Sequence, residues 1–195
     1  MNTEETEVKL PSPEQVKKER DKIHYRGECL KALKHIIGVL LVAAAIAVLI
    51  ATMFFPILRV SGVSMEPTLE NGQLVILEKT GKFETGDLIG FYYQNKILLK
   101  RVIGSAGDYI DMDASGNVYV NDIQIDEPYL KDKALGECDI TFPYQVPDGK
   151  IFVMGDHRSK SIDSRSKLVG CVSDEQVVGR VVFRIWPLSD IGILK

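Results

Sequence analysis

Hydrophobic and polar positions divide this chain into three stretches of different character. From Ile36 to Leu58 run 23 consecutive uncharged residues, dominated by Ile, Leu, Val, Ala, Met and Phe. As a helix at about 1.5 Å per residue the run reaches roughly 35 Å, against a hydrocarbon core of about 30 Å. It exceeds the roughly 7–15 apolar residues of a cleaved signal sequence, and a charge-rich stretch precedes it. An apolar surface all round suits a membrane better than the core of so small a protein. The pattern predicts a single transmembrane helix over residues 36–58.

Ahead of the apolar run, residues 1–35 mix charged and polar positions. Ser12-Pro13-Glu14-Gln15 carries a capping Ser, Pro at the first helical position and Gln at the third, the pattern of a helix start. This segment is therefore expected to be partly helical, ending in an amphipathic helix. After Arg59 the period changes. Short apolar runs cover Gln73–Leu77, Asp87–Tyr93, Ile97–Ile103, Tyr109–Met112, Val118–Val120, Lys150–Met154 and Val177–Ile185, with turn residues such as Glu70-Asn71-Gly72 and Pro147-Asp148-Gly149 between them. Closely spaced short strands predict an all-β barrel or sandwich over residues 59–195.

Charge orients these parts. Between Lys17 and Lys34 lie seven basic and three acidic residues, whereas beyond the apolar run Arg59 stands alone before Glu66 and Glu70. The positive-inside rule then puts the N-terminus in the cytoplasm and residues 59–195 outside. The outer part carries 16 basic and 20 acidic residues, which argues against nucleic acid as a partner, since phosphate binding needs clustered Lys and Arg. Of the three cysteines, only Cys138 and Cys171 would share a compartment, and free thiols are expected. No His/Cys/carboxylate cluster has metal-ligand spacing, and no cofactor is implied.

Three stretches carry candidate chemistry. In Ser61-Gly62-Val63-Ser64-Met65-Glu66-Pro67-Thr68-Leu69, Gly62 permits close backbone approach and Pro67 fixes a turn, so Ser64 could sit on a tight bend. The same pattern also serves a Ser that only caps a turn. In Ile97-Leu98-Leu99-Lys100-Arg101-Val102-Ile103-Gly104, a strand puts Lys100 on one face between Leu98 and Val102. Such a lysine can snorkel to water. If it cannot, desolvation lowers its pKa, and a fall from about 10.4 to about 8 takes roughly 3 kcal/mol. A neutral amine is a competent general base for a serine hydroxyl. The third stretch, Met154 to Arg165, is a dense polar loop that reads either as a solvated loop with local ion pairs or as support for a site.

Taken together and in order, these stretches resemble the type I signal peptidase family. The likeness rests on Gly62-x-Ser64-Met65-x-Pro67-Thr68-Leu69, on Lys100-Arg101-Val102-x-Gly104-x-x-Gly107-Asp108, and on Gly155-Asp156-x-Arg158-x-x-Ser161-x-Asp163-Ser164-Arg165. It implies a membrane-bound serine endopeptidase that removes signal peptides after small, Ala-x-Ala-like residues, with Ser64 as nucleophile and Lys100 as general base. Ser161 would orient the lysine amine, while Asp163, Arg165 and Asp156 would brace the loop. The resemblance further implies an all-β catalytic domain with a small β subdomain, receiving an extended peptide as an added strand. Val60, Met65, Leu69, Leu98 and Leu99 are expected to line the substrate pocket. A monomer in the plasma membrane is expected, with signal peptides and the lipid bilayer as its partners.

Two positions depart from the family pattern. Some members have Ser two residues before the nucleophile, where its hydroxyl assists the oxyanion; this chain has Gly62, leaving the Ser64 N–H as the donor in that region. Where many members have Asn, this chain has His157. His157 also admits a rival Ser–His–Asp arrangement with Asp156 or Asp163. A different class of function, a non-catalytic or dedicated assembly factor for surface proteins on the same fold, is the alternative to an enzyme.

Overall fold

The computed structural model describes residues 12–79, 81 and 83–194; the first eleven residues of the predicted cytoplasmic segment lie outside them. The chain divides into two units, Met1–Ile50 and Ala51–Lys195.

A single helix, α1 (Pro13–Phe54), runs for 42 residues. Its start follows the sequence signature. Ser12 Oγ accepts a hydrogen bond from the Gln15 N–H (3.3 Å), and Gln15 Oε1 accepts one from the Ser12 N–H (2.9 Å), a reciprocal cap for two otherwise orphaned donors. No proline interrupts it before Pro56, so the predicted amphipathic and membrane-spanning helices form one continuous rod. Among the described residues it is the one helix long and apolar enough to cross a membrane. Its apolar side chains from Ile36 to Phe54 are exposed.

The helix ends four residues before the predicted boundary at Leu58. Pro56 disfavours helical backbone at Phe55, and Ile57–Arg59 leaves as strand β1. The apolar helical part, residues 36–54, still reaches about 28 Å.

Among the described residues the second unit has twelve strands. After β1 come β2 (Leu74–Glu78), β3 (Leu88–Tyr93), β4 (Lys96–Gly104), β5 (Tyr109–Met112), β6 (Val118–Val120) and β7 (Ile123–Gln124). The remainder are β8 (Tyr144–Gln145), β9 (Lys150–Met154), β10 (Val172–Ser173), β11 (Val177–Trp186) and β12 (Gly192–Ile193). The larger sheet has the order β1-β2-β11-β3-β4-β9-β10, with β12 also on β11, and the smaller one the order β7-β6-β5-β8. The smaller sheet is the expected β subdomain. Every pairing is antiparallel.

Alternation along β2 places Val75 and Leu77 inward, each fully buried, as a half-buried strand requires. They join Val60, Met65, Leu69, Leu88 and Val181 in one core cluster. A second cluster, with Ile89, Phe91, Val102 and Val153, is contributed by the neighbouring strands β3, β4 and β9. A third joins the small sheet to the large one through Ile110, Val118, Ile103 and Phe152. The segment after Val60 is thereby held beside β4 by packing.

Candidate active site

Ser64 opens the turn of residues 64–68, four residues beyond Val60. Backbone pairing holds the approach to it: the Val60 N–H donates to the Gln73 carbonyl (2.8 Å), and the Gly72 N–H to the Val60 carbonyl (2.9 Å). Gly62 sits at φ +93°, a left-handed conformation that glycine adopts without steric cost. Its N–H donates to Asn71 Oδ1 (3.2 Å), so the Gly62 amide is engaged, whereas the Ser64 N–H makes no hydrogen bond among the described residues.

Lys100 lies in β4, opposite Ile89 of β3, and is only 3% exposed. It does not snorkel. Its Nζ lies 2.8 Å from Ser64 Oγ. Burial pulls its pKa down to about 8; the nearby Asp163 and Asp156 carboxylates resist that fall, while Arg165 adds to it.

Three other basic side chains are buried here, and each has a carboxylate. Arg101 grips Asp156 with two bonds (3.0 and 2.7 Å) and donates to the Gly86 carbonyl (2.7 Å). Thr68 Oγ1 also donates to Asp156, tying the serine turn to the same aspartate. Arg165 grips Asp163 through both Nε and Nη2 (2.8 Å each). Arg158 pairs with Glu127. Among the described residues Lys100 alone is a buried base with no carboxylate in salt-bridge range, and an unpaired buried ammonium favours losing its proton.

The 155–165 loop packs directly on the serine turn. The His157 N–H donates to the Ser64 carbonyl (3.1 Å), and the His157 ring nitrogen Nδ1 lies 3.2 Å from the Val63 carbonyl. A Cβ on Gly155 would come within 2.5 Å of the Ser64 carbonyl oxygen and 2.2 Å of Ser161 Oγ, so only glycine fits there. The Gly155 N–H donates to Asp163 Oδ2 (2.9 Å). For Asp163, burial pushes the carboxyl pKa up, but the Arg165 guanidinium overrides it and holds the group below its ordinary value.

Several expectations are redirected by this geometry. Ser161 Oγ is buried without a hydrogen-bond partner among the described residues. It lies near enough to the Asp163 carboxylate to favour its ionised form, but neither that contact nor one to Lys100 has hydrogen-bond geometry. His157 is turned toward Val63 and, at 3.7 Å, Glu66, while Asp156 and Asp163 are engaged by arginines. A Ser–His–Asp relay is therefore not assembled. Leu69 is fully buried in the core and does not line the cleft beside Ser64. That cleft, about 100 Å³, is lined by Ser64 with Leu58, Arg59, Val60, Gly62, Met65 and the Ile97–Leu99 segment, so four of the five residues expected at the pocket lie along it. Cys138 and Cys171 are both free thiols. Among the described residues no group of His, Cys, Asp and Glu is arranged to hold a metal.

The sequence does not single out Glu127 or Tyr129. Tyr129 donates to Glu127 Oε1 (3.0 Å), and the Arg101 guanidinium lies 3.8 Å over its ring. The strap that carries them, between β7 and β8, shows no periodicity, and the arginines they meet are 28 and 31 residues away; only an acidic residue beside Pro-Tyr in a polar loop marks the place.

The family model described as "Signal peptidase, peptidase S26" matches residues 33–186. A signal peptidase I from Bacillus amyloliquefaciens is 35% identical over 191 residues, covering 92% of this chain and all of the relative. Signal peptidase I U of Bacillus subtilis is 33% identical, covering 82% of this chain and 90% of the relative. A crystal structure of a signal peptidase I from Enterococcus faecalis is similar with a TM-score of 0.42 and 28% identity, covering 51% of this chain and 96% of that one.

Proposed function

The chain belongs to the peptidase S26 family of signal peptidases, and from that premise we propose that it cleaves N-terminal signal peptides from secreted preproteins with a Ser64–Lys100 dyad. The observation that carries the mechanism is the 2.8 Å approach of Lys100 Nζ to Ser64 Oγ by a buried lysine with no carboxylate in salt-bridge range among the described residues.

In the working state the amine is neutral and Ser64 O–H donates to it. Lys100 takes the hydroxyl proton as Ser64 attacks the scissile carbonyl, and the developing oxyanion is met by the unengaged Ser64 N–H. The Lys100 ammonium then returns its proton to the leaving amine. In the second half-reaction Lys100 deprotonates the water that hydrolyses the acyl-enzyme. The arginine–carboxylate pairs hold the frame around the dyad so that it enters each step already oriented.

The cleft beside Ser64 suits an extended peptide. Its apolar walls, Val60, Met65, Leu98 and Leu99, favour small uncharged side chains ahead of the cut, and β1 and β4 offer backbone for strand addition. In this reading α1 anchors the enzyme in the plasma membrane with its basic N-terminal segment in the cytoplasm and residues 59–195 outside.

The test is cleavage of a panel of presecretory proteins by the purified full chain, with Ser64→Ala as control. Cleavage at Ala-x-Ala-type sites by the intact chain alone supports the proposal. Failure to cleave any of them, or cleavage by Ser64→Ala, overturns it.

A further inference from the structure

The strap between β7 and β8 meets the 155–165 loop directly at Arg158 and, through Arg101, at Asp156. Glu127 accepts from both Nη atoms of Arg158, whose Nε donates to the Gly155 carbonyl (3.2 Å). Two residues on, Tyr129 lies under Arg101, the partner of Asp156. Burial, then the Glu127 charge, pushes the Tyr129 hydroxyl above its ordinary pKa, so it stays a protonated donor to Glu127. Farther along, the Leu135 carbonyl accepts from Arg165 Nη1 (2.6 Å). A Cβ on Gly136 would lie 2.2 Å from the Arg158 carbonyl oxygen.

The Gly155 peptide is therefore pinned from two sides. Its N–H is held by Asp163, which Arg165 fixes, and its carbonyl by Arg158, which Glu127 fixes. Gly155 in turn presses on the Ser64 carbonyl, where the neighbouring His157 N–H also lands. We propose that Glu127, assisted by Tyr129, is a positioning residue for the Ser64–Lys100 dyad, acting through Arg158 and the Gly155 peptide.

This role makes two demands on Glu127, a fixed geometry and a fixed charge. The geometry keeps the serine turn in register with Lys100. The charge balances Arg158 in a neighbourhood that also contains Arg101, Asp156, Asp163, Arg165, His157 and Glu66. Removing the carboxylate charge leaves an uncompensated buried cation behind the dyad, which disfavours the lysine ammonium. Removing Arg158 while keeping Glu127 does the reverse.

The proposal rests on the dyad reading, so cleavage by the wild-type chain and its loss in Ser64→Ala are established first; their failure defeats that reading and not this one. Glu127→Gln, Arg158→Gln and the double variant are then compared in the full chain on one presecretory substrate. The expected result for Glu127→Gln is a kcat at least about tenfold lower with KM within about twofold. The acid limb of its pH profile moves down by about half a unit, while that of Arg158→Gln moves up and that of the double variant returns toward wild type. A merely structural role leaves the limb in place. A folded Glu127→Gln with wild-type kcat, or an unmoved limb in both single variants, overturns the proposal. If Glu127→Gln does not fold, Tyr129→Phe decides: it keeps the ring under Arg101 but removes the hydroxyl donor. A kcat about threefold lower supports the clasp, and an unchanged kcat overturns it.

Discussion

Lys100 Nζ lies 2.8 Å from Ser64 Oγ, and each of the three buried carboxylates nearby, Asp156, Glu127 and Asp163, is engaged by an arginine. The pairing matters more than the burial alone. A lysine sharing the site with a free carboxylate would keep its proton, whereas here the anions are taken and the amine is left to lose it.

That arrangement has a stability cost with a definite sign. The Lys100 pKa is about 8 in the folded chain against 10.5 ordinarily. The unfolded chain therefore binds the extra proton between those values, and stability rises with pH across that window and is lower below it. Lys100→Met removes the penalty. At pH 7 it should gain stability on the order of 3 kcal/mol while losing cleavage. Thermal melting of the detergent-solubilised chain checks this, and no gain at pH 7 would mean the amine is not desolvated.

Asp163→Asn acts on the same group through charge. Asp163 raises the Lys100 pKa and Arg165 lowers it, so losing the carboxylate and freeing the arginine both push it down. The acid limb of the rate profile should shift to lower pH. Stability should fall by roughly 3–5 kcal/mol, because Arg165 is left buried and unpaired. A limb that moves upward would contradict the assigned electrostatics.

Gly155→Ala tests the contact between the polar loop and the serine turn. The added methyl carbon would sit 2.2 Å from Ser161 Oγ and 2.5 Å from the Ser64 carbonyl oxygen, so the turn must move. With the chain still folded by circular dichroism, kcat should drop by about 100-fold. Wild-type kcat would show that the turn tolerates displacement.

His157→Ala separates the dyad from a histidine base. The ring contacts the Val63 carbonyl and Glu66 rather than Ser64 Oγ. Its loss should leave cleavage within roughly an order of magnitude of wild type, whereas removing a general base costs about 10²–10⁴. Comparing single-turnover rates of His157→Ala and Lys100→Ala reads this directly.

Much of this site was legible in the sequence where local pattern and chemistry coincide. The strand around Lys100, the turn residues around Ser64 and the apolar span each show in a window of a few residues. What was not legible depends on contacts distant in the chain. β1 opens on Ile57-Leu58, apolar like the helix before it, and Pro56 is the one local mark of the break. The two-residue strands β7, β8, β10 and β12 are too short to show alternation. Turn residues have no periodicity to say which way they face, so the sequence alone suggests Leu69 as a pocket wall, whereas the chain turns it into the core. Glu127 finds Arg158 only because the strap crosses the loop.

The pH dependence of kcat/KM for cleavage of a presecretory protein by the full chain tests the central claim most directly. If Lys100 is the base, activity rises with pH along a limb near 8, the value its burial sets, and the limb is absent from the trace activity of Lys100→Ala. A rate that stays flat between about pH 6 and 9 contradicts a titrating lysine at the centre of the mechanism.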